Sequence, residues 1–101
     1  MSNAGGPNEK MVNVQILHVN STETAKMKLA ESDTLQHAWD QAYEDLKPLG
    51  VVKGPADLLQ CAESKDDMAS HLGDTLARIR DTKICTNLHF KIIAERGGAI
   101  G

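Results

Sequence analysis

From Met11 onward, Val12, Val14 and Ile16 alternate with Asn13, Gln15 and Leu17, the two-residue period of a strand with one buried face. Polar Asn20-Ser21-Thr22-Glu23 interrupts the run, and Ala25, Met27 and Leu29 then alternate with Lys26 and Lys28. The pattern predicts a second strand returning antiparallel to the first. The period then changes. Leu35, Ala38, Trp39, Ala42 and Leu46 fall on one helical face, with Gln36, Asp40, Gln41 and Glu44 opposite. Ser32, Asp33 and Thr34 are the N-cap candidates, and Asp33 as the cap would place Gln36 to close a capping box. Pro48 and Gly50 stop the helix, the first by lacking an N–H and the second by tolerating positive φ.

The second half is less regular. Asp57 to Ala62 reads as a short third strand whose apolar run does not alternate cleanly. Met68, Leu72, Leu76 and Ile79 have helical spacing, with Asp66 and Asp67 as helix-start charges. They predict one helix over 65–80, open to a break at Gly73. Leu88, Phe90 and Ile92 alternate against His89, Lys91 and Ile93, predicting a last strand with one face in the core. The order is strand, strand, helix, strand, helical connection, strand. It predicts an α+β domain: a mixed sheet of four to five strands crossed by one main helix, with the last strand returning parallel to the first. The domain is expected over 11–93, after a disordered leader or tag remnant at 1–10 and before a flexible tail at 94–101.

Length changes the picture only by limiting it: 101 residues make one domain. Aromatics are 3% of the chain, so the core is expected to be aliphatic around Trp39, Tyr43 and Phe90. A formal charge of −3 from 14 acids and 11 bases leaves no basic stripe, which argues against nucleic acid as a partner. No stretch approaches the roughly 20 apolar residues of a membrane span, and the first ten residues lack a signal-peptide pattern, so a cytoplasmic protein is expected.

Candidate chemistry is sparse. Cys61 and Cys85 lie far apart with no zinc spacing around them, and read as buried thiols. A disulfide between them is open in principle, though a reducing cytosol argues against it. His18, His37, His71 and His89 fall on different elements and read as exposed or half-buried imidazoles, so no metal site is expected. Asp66 and Asp67, adjacent on a helix, would face different directions, and no acid–base pair is read there. No catalytic residue is assigned.

The opening hairpin, Ser32-Asp33-Thr34-Leu35 leading into the helix, the strand around Asp57 to Ala62, and Asn87 to Gly98 together resemble ubiquitin. Leu88-His89 opens the last strand and Arg96-Gly97-Gly98 closes the tail, as in that family. The resemblance covers roughly Met11 to Gly98 and implies a ubiquitin-like β-grasp fold, closest to the bacterial ubiquitin-like protein modifiers. It implies that Gly97 and Gly98 form the conjugation end and that a peptidase trims between Gly98 and Ala99. Lys91, Ile93, Ala94, Glu95 and Arg96 would form the partner-binding approach. Implied partners are an activating enzyme that uses ATP, a conjugating enzyme, a JAB-type or other deconjugating peptidase, and target proteins. The chain itself would be a monomer that binds no cofactor and is not an enzyme. A physical reason stands beside the resemblance: two glycines lack the Cβ atoms that would obstruct entry into an adenylating site.

The chain also departs from that family. Ala99-Ile100-Gly101 extends past the glycine pair, Ala94 stands where ubiquitin has arginine, and the counterparts of ubiquitin's apolar patch, at Asn20 to Glu23, Gln60 and Lys91, are polar. Ubiquitin's own receptors are not expected to bind it. A sulfur carrier bearing a Gly98 thiocarboxylate and a non-conjugating β-grasp adaptor stand as alternatives.

Overall fold

A computed structural model describes residues 10–54 and 56–93. Strands β1 (Met11–His18) and β2 (Glu23–Ala30) form the expected hairpin, with Ile16 opposite Ala25 and Val12 opposite Leu29. Helix α1 (Leu35–Leu46) follows, and a single 3-10 turn over Lys47–Leu49 runs into Gly50 at φ 92°. That angle lies in the left-handed region glycine accepts at least cost. Strands β3 (Leu58–Cys61) and β4 (His89–Ile93) complete one mixed four-stranded sheet in the order β2-β1-β4-β3. β4 lies parallel to β1, with Phe90 beside Ile16, and β3 runs antiparallel to β4. The protein is a small α+β domain with one main helix.

The core lies between the sheet's inner face and α1. Val14, Ile16, Phe90 and Ile92 come from the two central strands, and Leu35, Ala38, Ala42 and Leu46 from the helix; all are buried. Tyr43 joins this face, while Trp39 packs only partly against it.

The segment from 65 to 80 is not the one continuous helix predicted, and its interruption spans Gly73, where the sequence allows a break. It forms a 3-10 turn (Ala69–His71) and a six-residue helix, α2 (Leu76–Asp81). Met68, Leu76 and Ile79 are buried as their spacing suggested, but tertiary contacts rather than one continuous helix bury them. Asp66 and Asp67 do not start an α-helix, although Asp67 Oδ1 accepts from the Ala69 N–H at the head of the 3-10 turn. The Asp66 carbonyl accepts from the Cys61 N–H, and Asp67 bridges Gln60, so this segment covers the outer edge of β3.

The structure chooses among the candidate caps of α1. Thr34, not Asp33, caps α1 by accepting from the His37 N–H, and Gln36 donates to Asp40 rather than closing a capping box. Thr75 caps α2 in the same way through Arg78. The two helix starts complete each other. Leu35 N–H donates to the Asp74 carbonyl and Gln36 N–H to Leu72, while Leu76 N–H donates to Asp33 and Ala77 N–H to Glu31. Donors that a helix start leaves without partners in its own helix are thereby satisfied at both ends.

Candidate functional site

β4 positions the only expected partner-binding residues that the structure describes. Alternation turns Phe90 and Ile92 into the core, leaving His89, Lys91 and Ile93 half-buried on the outer face. Lys91 pairs across with Leu17 of β1 and Gln60 of β3, and Ile93 lies opposite Leu58. Gln60 and Lys91, assigned from sequence to one recognition face, are therefore direct neighbours. Ala94, Glu95, Arg96, Gly97, Gly98 and Ala99 lie outside the described residues.

The outer sheet face has a distinct charge. Lys26 and Lys28 of β2 share it with Lys91 and His89, and among the described residues no outward strand position carries a carboxylate. The outward face of α1 carries Asp40, Glu44 and Asp45 instead. A net negative chain thus presents a cationic sheet face. A shallow depression of about 220 Å³ sits on it, lined by Leu17, Thr24, His89 and Lys91 among others.

A second cleft, of about 350 Å³, opens beside α1 among Tyr43, Val51, Val52 and Lys53. At its side the Tyr43 hydroxyl donates to Asp57 Oδ2 at 2.6 Å, and Asp57 also accepts from the Gly54 N–H. Burial, and then the bond to the Asp57 carboxylate, push the Tyr43 hydroxyl's pKa well above its ordinary value. Lys53 Nζ lies 5.8 Å from the Trp39 ring centroid and 5.7 Å from that of Tyr43. These contacts fix the loop after α1; sequence periodicity gave no signal for them.

The cysteines are buried as expected but are not thiols. Cys61 and Cys85 form a disulfide with Cα atoms 5.7 Å apart, linking the end of β3 to the segment before β4. A separation of 24 residues in sequence hid a pair that folding brings together. Glu63 places a carboxylate oxygen within 4.8 Å of both sulfurs. His18 is also a correction: it is buried, with Nδ1 2.9 Å from Ser21 Oγ. Among the described residues no helix is long and apolar enough to cross a membrane. No protein-family model matches the chain, and no curated protein matches it.

Proposed function

We propose that this chain is a ubiquitin-like protein modifier with a β-grasp fold, working as a monomer and a substrate of its partner enzymes. The observation that carries the reading is the place of β4. It runs parallel beside β1 at the centre of a sheet crossed by α1, and in sequence only Ala94 to Arg96 stand between its last described residue, Ile93, and Gly97-Gly98. An opening hairpin, a capped helix and a final strand feeding a glycine pair occur in the family's order.

In this reading a peptidase hydrolyses the Gly98–Ala99 bond. The freed carboxylate attacks the α-phosphate of ATP on the activating enzyme, releasing pyrophosphate. An enzyme thiol then displaces AMP to form a thioester, and a conjugating enzyme passes the acyl group to a target amine. The chain supplies a slim carboxylate and a docking face. Lys91 and Ile93, on the cationic side of the sheet, are the partner-facing residues, and the lack of outward carboxylates there favours partners with an acidic surface.

Incubating the chain ending at Gly98 with ATP and activating and conjugating enzymes from the same cell should give a thiol-sensitive adduct and then a stable, heavier conjugate. Gly98→Val should abolish both. If no adduct forms with those enzymes, the reading fails. A Gly98 acid carrying sulfur in place of one oxygen would reassign the chain as a sulfur carrier.

A further inference from the structure

We propose that reducing the Cys61–Cys85 disulfide opens a zinc site made of the two thiolates and the Glu63 carboxylate. Independent hydrogen bonds hold both cysteine backbones. The Cys61 N–H donates to Asp66 and its carbonyl accepts from Lys65; the Cys85 N–H donates to Ile79 and its carbonyl accepts from Leu88. Breaking the S–S bond leaves these four contacts in place, so the sulfurs stay on anchored backbone 5.7 Å apart at Cα. Glu63 lies two residues beyond Cys61, exposed, and its carboxylate accepts from the Asn87 amide. The third donor is therefore oriented by a partner outside the cluster, as metal-ligating carboxylates usually are.

All three donor atoms lie within 4.8 Å of one another. Around tetrahedral zinc, with Zn–S of about 2.3 Å and Zn–O of about 2.1 Å, ligand atoms sit roughly 3.5–3.8 Å apart. Side-chain rotation suffices to reach that spacing. Two sulfurs select a soft or borderline cation over magnesium or calcium. Glu63 stands at the exposed side, leaving the fourth position to water.

The step balances without a redox-active metal. A dithiol reductant gives two electrons and two protons to the disulfide and becomes a disulfide itself, leaving two cysteine thiols. Zn²⁺ then displaces both thiol protons into solvent and binds the thiolates. The segment between α2 and β4 is consequently tied to β3 in either redox state, by a covalent bond or by a shared ion. This inference does not depend on the modifier reading.

Cobalt(II) is the probe. The full chain, reduced and then freed of reductant without air, should bind one equivalent of Co²⁺ with thiolate-to-cobalt charge-transfer absorption and keep its native far-UV dichroism; Zn²⁺ should bleach that absorption. The oxidised chain should show none. Glu63→Gln, a change at an exposed position, should keep the absorption but weaken binding roughly tenfold or more, since even residues that only support a ligand cost that much. An unchanged affinity in Glu63→Gln would overturn the site. So would reduced protein that takes up no Co²⁺, or that binds it only after losing its native spectrum.

Discussion

Residues 11–50 and 51–88 contribute comparably to one core but are held by different means. The first region is an eight-residue strand pair and a twelve-residue helix, stabilised by repeated backbone hydrogen bonds. The second holds a four-residue strand, a 3-10 turn and a six-residue helix, yet it buries Leu59, Met68, Leu76, Ile79 and Leu88 as fully as the first buries its own. Its backbone bends through positive φ at Lys65, Lys83 and Leu88, a conformation uncommon outside glycine, whereas the first region does so outside glycine only at Thr22 in the hairpin turn. Its tethers are particular contacts: the disulfide, the Tyr43–Asp57 bond, and the Arg80–Glu31 ion pair at 3.1 Å. A region short of repeating hydrogen bonds therefore relies on point contacts, one within itself through the disulfide and two that attach it to the first region.

The largest effect should come where the two regions share a residue. Phe90 is buried in β4, between Ile16 of β1 and Cys61 of β3. Phe90→Ala should cost about 3–5 kcal/mol by combining lost transfer energy with a cavity. Denaturant unfolding followed by the fluorescence of Trp39 and by far-UV dichroism should still give one coincident transition, at lower denaturant. Two separated transitions would show that the regions do not share a core.

Reducing the disulfide in metal-free buffer comes next. Closing a loop of this length is worth about 3 kcal/mol, and the loss should be uneven. Amide exchange at Ile79, Ile84 and Leu88 should accelerate far more than at Val14 or Ile16 in the hairpin. An equal acceleration everywhere would mean the tether acts on the whole domain and not on the second region.

The same contrast explains what the sequence disclosed. Alternation at Val12, Val14 and Ile16 and the helical face from Leu35 to Leu46 located β1 and α1 because local periodicity sets their burial. Phe90 and Ile92 did the same for β4. Met68, Leu72, Leu76 and Ile79 misled because apolar residues at helical spacing can also be buried by separate short elements. Here Met68 is held by its N–H to the Leu59 carbonyl, and Leu76 starts a helix of its own. Asp33 lost the cap to Thr34 because its carbonyl is committed to the Leu76 N–H, a contact 43 residues away that no local motif announces. The disulfide was hidden for the same reason, as was the cationic sheet face, which needs the strand order before Lys26, Lys28 and Lys91 can be seen as one surface.

The reciprocal helix caps sharpen the comparison at the level of about 1 kcal/mol, the usual value of a threonine N-cap. Thr34→Ala and Thr75→Ala each remove one side-chain acceptor, from His37 and Arg78 respectively. The global loss should be similar. The local one should not: α2 has six residues against twelve, so amide exchange at Ile79 should respond to Thr75→Ala more than exchange at Ala42 responds to Thr34→Ala. Equal local responses would show that the neighbouring carbonyls, rather than the threonines, hold both helix starts.

The smallest effect, and the only stabilising one, should come from Lys83→Gly. α2 ends with two bonds that close its last turn: Ile84 N–H donates to Ile79 and Lys83 N–H to Arg80. That pairing requires a left-handed residue between cap and exit, and Lys83 supplies it at φ 62°. Glycine adopts this conformation without the Cβ clash that an L-residue suffers there, although its freer unfolded chain offsets part of the gain. The net should be an increase of about 0.5 kcal/mol, read as a higher denaturant midpoint at unchanged slope. A loss instead would mean that the lysine side chain makes a stabilising contact at this bend, and that the second region is less dependent on backbone geometry than its angles suggest.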